Sequence, residues 1–327
     1  MDTFNKDLRQ DIEIDLKEKF DKRMFEPADL SDRDADKIKR PSIKYWPDVW
    51  RRLKQNKLAM VGLILILLMI AMSIVGPWMN KFDYFKQFYD NINAKPNSTN
   101  WFGTDELGRD LWTRVWFGAR YSLIIGILAA TIDFIIGVIY GGVSGIASRR
   151  VDAVLMRVAE VIYSIPYLLI VILLSVVFSS AGAGTSLPVL ILAITLTSWV
   201  PMAILVRGQV LQLKESEYSL ASESLGATKG WILRKHIIPN TLGPILVNVT
   251  LTIPRAIFAE ATLGFLGLGI QAPKSSLGSL ASDGLAGMAV GNAYQLIIPA
   301  ILISLIMFGF NVLGDGLRDA LDPRLRK

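Results

Sequence analysis

The 327-residue sequence contains no cysteine and a single histidine, His236. The first absence excludes disulfides and thiolate nucleophiles, and the two together exclude a Cys/His metal cluster. No glycine-rich loop ends in Gly-Lys-Ser/Thr, so the chain has no visible means of hydrolysing ATP by itself. An HExxH pair, a nucleophile elbow and a carboxylate cluster are missing as well, which leaves an enzyme reading without equipment. Charge of one sign is scarce: 35 Lys and Arg face 29 Asp and Glu, a net charge of +6. The basic residues sit beside apolar runs, which reads as control of membrane topology, not as a nucleic-acid surface. No internal repeat of solenoid type is visible.

What is abundant is apolar surface. Hydrophobic residues make up 52% of the chain and the mean hydropathy is +0.40, and runs of about 20 apolar residues recur, each long enough to cross a bilayer. Residues 1–57 form a charged tail in which Ile12, Leu16 and Phe20 suggest one short surface helix; the first apolar run begins too late for a signal peptide. Trp46, Trp50, Arg51, Arg52, Lys54 and Lys57 make an aromatic and basic collar that marks the inner side. A first span is expected at 58–79, followed by an external loop at 80–120 with an interfacial helix capped by Thr104 and carrying Glu106 in its first turn.

The remaining spans are expected at 121–146, 158–179, 187–206, 244–269 and 294–313, within a core of residues 121–313. The second is rich in glycine, a surface that lets helices approach closely, and it holds Asp133, either a functional carboxylate or one satisfied by a neighbouring helix. Arg149, Arg150 and Arg157 mark an inner loop, and Pro166 should kink the third span. A Gly/Ala/Ser turn at 182–186 reads as an outer hairpin. The fifth span is expected to be interrupted at Pro254 and carries Arg255 and Glu260; broken, charged helices usually line something. Residues 271–292 form an outer loop, and 314–327 a charged inner tail. The fold class is therefore all-α and polytopic, with six transmembrane helices and both termini cytoplasmic.

The most informative stretch is polar and internal, residues 217–240 within a cytoplasmic loop at 207–243. Tyr218, Ala221 and Leu225 recur at helical spacing and give a short helix one apolar stripe. Gly226 ends that helix, Thr228 is placed to cap a second, and Pro239 should stop it. Lys229, Arg234, Lys235 and His236 place the segment on the inner side. Nothing on this chain is assigned to cover the stripe, so it needs a partner.

This segment resembles the signature loop of inner-membrane permeases of bacterial ABC importers: Glu-Ala-Ala, three residues, Gly, and a Pro about a dozen residues on. Ala221, Gly226, Ala227 and Pro239 match, whereas Leu220 stands where Glu is frequent, Ser222 where the second Ala is, and His236 where Ile is common. Phe102 to Leu123 and Ala259 to Pro273 are similar to segments of the C-type permease of the oligopeptide and dipeptide importers, with Leu277 in place of an expected Trp. The resemblance runs from about Trp46 to the C-terminus. It implies that the last five spans form a type I (MetI-like) importer core in a bacterial cytoplasmic membrane. It also implies a second homologous permease, two ATPase subunits that bind the ATP and Mg, and an external binding protein that delivers oligopeptides. Glu217, Tyr218, Ala221, Ser222, Leu225, Gly226, Ala227 and Pro239 would then couple to an ATPase, and Asp133, Arg255 and Glu260 become pathway or interhelical groups. Similar permeases serve dipeptides, glutathione or chelated nickel. A self-sufficient secondary transporter could use the three charges for ion coupling but leaves the inner helix–turn–helix unexplained, and a structural scaffold would not spend charged helices.

Six spans with the 217–240 segment inside predict that a cysteine placed at Ser222 resists a membrane-impermeant thiol reagent in intact cells and reacts after permeabilisation. The cysteine-free background makes the assay clean, and labelling in intact cells would overturn the orientation.

Overall fold

The computed structural model describes residues 45–178 and 186–321, and among them the regular structure is helical throughout. The surface helix expected around Ile12, the hairpin at 182–185 and the tail beyond Leu321 lie outside the described residues. Five helical stretches are long and apolar enough to cross a membrane, and a bent helix pair makes a sixth.

Helix α1 (Tyr45–Gln55) is the expected collar. It buries Val49 and Leu53 against the far end of the last helix while Trp46 and Trp50 stay exposed. Asn56 then caps α2 (Lys57–Val75) by accepting from the Ala59 N–H at 3.1 Å. A single 3-10 turn, Gly76–Trp78, ends the span.

Helix α3 (Leu111–Ile146) starts ten residues before the expected span. The interfacial helix expected from Thr104 is absent, because Gly103 and Gly108 both hold the left-handed conformation and break any helix there. Thr104 instead bridges to Asp110, and its hydroxyl donates to the Asn91 carbonyl and accepts from the Ala94 N–H. The true N-cap is Asp110, which accepts from the N–H and the hydroxyl of Thr113.

The third crossing breaks at Pro166 into α4 (Arg149–Tyr163) and α5 (Tyr167–Phe178), bent by 74°. The expected inner loop of arginines is thus the start of a helix. Next, α6 (Leu187–Ser198) and α7 (Val200–Leu213) run on as one stretch, seven residues past the expected end. The short α8 (Glu217–Ser224) and α9 (Lys229–Ile232) follow.

Pro239 does not end the second short helix. From α9 the chain passes through a π turn at Leu233–Ile237 straight into α10 (Ile238–Phe265), one helical stretch of 37 residues. Pro239 has no N–H to donate, and the wider π turn absorbs the misfit, with the Ile238 N–H reaching the Leu233 carbonyl. Nor is the fifth span interrupted at Pro254, which lies buried inside α10 with Pro244 behind it. The expected outer loop contains α11 (Leu277–Ala289), started by a Ser276/Ser279 capping box. Finally, α12 (Tyr294–Leu321) continues eight residues into the expected tail, where Ala320 and Leu321 meet α1.

The glycine-rich face of α3 lies on α7, where a Cβ at Gly141 would collide with the Ala203 backbone and one at Gly145 would stand 2.7 Å from the Val210 side chain. The other faces of α3 build two clusters, Leu123 with Ile257 and Ile306, and Ile125 with Leu190 and Leu263. Gly141→Ala should therefore cost about 1–3 kcal/mol through forced separation of packed helices. Gly142→Ala, whose Cβ would meet nothing nearer than 3.5 Å, should be close to neutral. Thermal unfolding of the two detergent-purified variants checks this, and equal midpoints would remove the close-packing argument.

Candidate functional site

At one end of the bundle α8, the turn and α9 form a hairpin. Ser219 fixes its first arm: buried at the foot of α8, its hydroxyl donates to the Leu213 carbonyl at 2.8 Å and so ties α8 to the end of α7. The helix closes in a Schellman motif, with the Ala227 N–H on the Ser222 carbonyl at 3.0 Å and the Gly226 N–H on the Glu223 carbonyl at 2.9 Å. Gly226 has φ +87° and no atom within 4 Å of where a Cβ would stand. Its glycine is required by backbone conformation, not by space. Thr228 caps the second arm by accepting from Trp231 N–H at 3.4 Å.

All three residues of the expected stripe, Tyr218, Ala221 and Leu225, are exposed, and Leu225 keeps 89% of its surface. The stripe is wider than the periodicity indicates, because Leu220 and Trp231 are exposed beside it. Ser222, Leu225, Gly226, Ala227, Thr228 and Trp231 line a hollow of about 440 Å³ between the arms. Glu217 sits exposed in the first turn of α8, Pro239 at the start of α10, and His236 packs against Trp231 and Tyr218 with ring centroids 5.0 and 6.1 Å away.

The other sequence-derived residues fall into two places. Asp133 and Arg255 line one half-open pocket of about 470 Å³, with the Ser198 hydroxyl donating to Asp133 Oδ1 at 2.8 Å. Glu260 is elsewhere. Wholly buried, it accepts from the Ser122 hydroxyl of α3 at 2.8 Å, and Ser122 in turn accepts from the Leu277 N–H at the start of α11 at 3.3 Å. It therefore ties α3, α10 and α11 together and does not pair with Arg255.

Two charged clusters were not foreseen. Asp152 accepts from Nε and Nη2 of the Arg207 guanidinium, at 2.5 and 2.6 Å, and from the Ser144 hydroxyl, joining α4, α7 and α3. At the opposite end, Asp105 pairs with Arg109 at 2.7 Å and with Arg114 at 3.0 Å, and Arg114 reaches Asp283 of α11 at 3.3 Å. Asp283 keeps about half its side-chain surface, yet the protein packed around its carboxyl holds its pKa above the ordinary value; Arg109 pulls it down and Asp105 pushes it up. The cluster clamps the segment before α3 onto α11. Only the spacing of Asp105 and Arg109 hints at it in sequence, since Asp283 is 169 residues from Arg114.

A bundle of apolar spans with a half-open pocket that carries charged and polar groups, and a solvent-facing helical hairpin at one end, is the architecture of a membrane permease. A family model described as the inner membrane component of binding-protein-dependent transport systems matches residues 123–327. A second, the N-terminal transmembrane domain of oligopeptide transport permease C, matches residues 44–96. The chain belongs to the binding-protein-dependent transport permeases. It is 54% identical over 295 residues to the dipeptide transport system permease protein DppC of Bacillus subtilis (strain 168), a match covering 90% of this chain and 91% of that one. The oligopeptide transport system permease protein OppC of the same organism is 51% identical over 306 residues, with 94% and 98% covered. An inward-facing structure of the MetNI methionine ABC transporter superposes with TM-score 0.52 at 21% identity, covering 64% of this chain and 96% of the other. That likeness establishes the MetI-like fold.

Asp105→Ala would leave two buried guanidinium groups sharing only the half-exposed Asp283, and a buried pair broken on one side costs about 3–5 kcal/mol. We expect a large drop in the thermal midpoint of the purified protein for Asp105→Ala. Arg157→Ala, which removes only the exposed pair to Glu160 at 3.0 Å, should change little. Similar midpoints would show that the clamp has no structural weight.

Proposed function

We propose that the chain is the C-type permease subunit of an ATP-driven oligopeptide importer in a bacterial cytoplasmic membrane. It pairs with a second, homologous permease to form the translocation pathway. Two ATPase subunits dock below and bind ATP and Mg, and an external binding protein delivers the peptide. Both termini and the α8–α9 hairpin lie in the cytoplasm, as the basic collars at Arg51 and Arg149 support. Dipeptides are the second reading of the substrate, favoured by the similarity to the Bacillus DppC.

One observation carries the reading: a short amphipathic hairpin, held rigidly by Ser219 and the Gly226 turn, presents Tyr218, Leu220, Leu225 and Trp231 to solvent. An apolar helix face of that kind fits a hydrophobic groove on a partner. Seated in an ATPase, it transmits closure of the nucleotide-binding domains as a push on α7 and α10. Asp133, Arg255 and Glu260 face the pathway or the interior of the assembly instead of lipid, where a charge is costly.

Ala221→Asp puts a charge in the docking stripe, and Gly226→Asp forces a side chain into a left-handed backbone, costing about 1–2 kcal/mol for the turn alone. Since 1.4 kcal/mol is about tenfold in binding, both should reduce peptide uptake and retention of the ATPases through purification by tenfold or more. Gln212→Asp, exposed on α7, should leave both nearly unchanged. Normal uptake and retention in both hairpin variants would end the coupling assignment.

A further inference from the structure

The half-open pocket has polar groups from four elements. Asp133 comes from α3, Tyr163 from the end of α4, Ser198 from the end of α6, and Asn248, Thr252 and Arg255 from α10. Its volume of about 470 Å³ falls in the range of small-molecule sites. Asp133 is only 1% exposed; Ser198 occupies Oδ1 at 2.8 Å, while Oδ2 is buried with no hydrogen-bond partner among the described residues. Arg255, on the lining of the same pocket, is exposed and has no ion pair or hydrogen bond to any described residue.

The other interior charges are placed differently. Asp152 is matched by Arg207 and Arg114 by Asp105, while Glu260, whose Oε1 also lacks a partner among the described residues, accepts from Ser122 and does not line this pocket. Asp133 and Arg255 are opposite charges on one pocket, and they do not neutralise each other. An unsatisfied buried carboxylate oxygen is expensive, and a pocket that keeps one alongside a free guanidinium suits a ligand carrying both complementary charges. A peptide is such a ligand. Its terminal ammonium donates to a carboxylate, its terminal carboxylate accepts the two-pronged guanidinium, and Tyr163, Asn248 and Thr252 offer partners to the amides between.

We propose that Asp133 and Arg255 form a transient substrate subsite in the translocation pathway, Asp133 taking the amino terminus and Arg255 the carboxylate terminus of a peptide in transit. The assignment rests on the peptide reading above. A short peptide presents both ends to the pocket together, and a longer one presents them in turn as it threads. Ser198 has a positioning role, holding Oδ1 and leaving Oδ2 without a partner at the pocket wall.

The test uses the complete transporter, with its second permease, ATPases and binding protein, in proteoliposomes. Uptake of trialanine is compared with that of its N-acetyl and C-amide forms, each normalised to measured occupancy of the binding protein. Asp133→Asn should lower the ratio of free to N-acetyl uptake about tenfold, Asp133→Glu should restore it, and Arg255→Gln should lower the ratio of free to C-amide uptake to a similar degree. A single cysteine at Thr252 should be labelled more slowly when trialanine is being transported, and that protection should vanish in the Asp133→Asn, Arg255→Gln double variant. Equal losses for free and blocked peptides, unchanged ratios, or labelling indifferent to trialanine would each overturn the subsite. So would release of the second permease on Arg255→Gln, which would assign that arginine to the subunit interface. Absence of any peptide uptake by the unsubstituted transporter would overturn the peptide reading, and the subsite with it; intact uptake with unchanged ratios would sink the subsite alone.

Discussion

Hydrocarbon offers no water to a backbone N–H or C=O, so every peptide group inside the membrane must be satisfied by the chain itself. The course of this chain follows from that constraint. Pro244, Pro254 and Pro299 all lie within helices that continue past them, because ending a helix in lipid would expose several groups where each proline removes only one donor. Pro239 is handled by widening a single turn to π geometry. Pro166 is the exception: there the chain does break, by 74°. The break faces the polar pocket, and irregular backbone at membrane depth is tolerated where it lines a cavity.

The same rule sorts the ionisable side chains. Asp152 and Arg207 satisfy each other with two short contacts, Arg114 lies between Asp105 and Asp283, and Glu260 accepts from Ser122 of α3. These groups cross-link helices. Asp133 has one hydroxyl partner and Arg255 none among the described residues, and what distinguishes the two is that both line an open volume. Structure and transport are thereby assigned to different charges within one bundle.

Much of this was legible in the sequence because it is local. Apolar runs located the spans, and the Gly226–Thr228 pair located the hairpin turn, since a left-handed glycine followed by a capping threonine specifies its geometry within three residues. Span ends were not legible. Residues 111–120 carry Arg114 and Arg120, which interrupt an apolar run, and the helix extends through them only because Asp105, Asp283 and the carbonyls of Ser73 and Ile74 receive the guanidinium groups. Thr104 reads as a helix cap by composition, but the glycines on either side decide otherwise. Pro254 reads as an interruption, and the lipid constraint overrides it. The pairing of Arg207 with Asp152 and of Glu260 with Ser122 depends on partners 55 and 138 residues away, for which a single sequence carries no signal.

The two ends of the site are joined mechanically by the helices that leave the hairpin. One arm is tied through Ser219 to α7, which continues back into α6 and Ser198, the residue that orients Asp133. The other arm runs without a loop from Lys229 through the π turn to Arg255, a rise of about 39 Å at 1.5 Å per residue. A displacement of the hairpin therefore reaches the pocket lining along two separate rods. Because the rods carry the carboxylate's positioning group and the guanidinium respectively, relative motion between them changes the separation of the two charges. An ATPase that closes on the hairpin would in this way weaken the grip on a bound zwitterion with no need to move a gate at the pocket itself. The π turn departs from the regular α ladder of the second rod, and its place between hairpin and pocket makes it a joint at which such motion would be taken up.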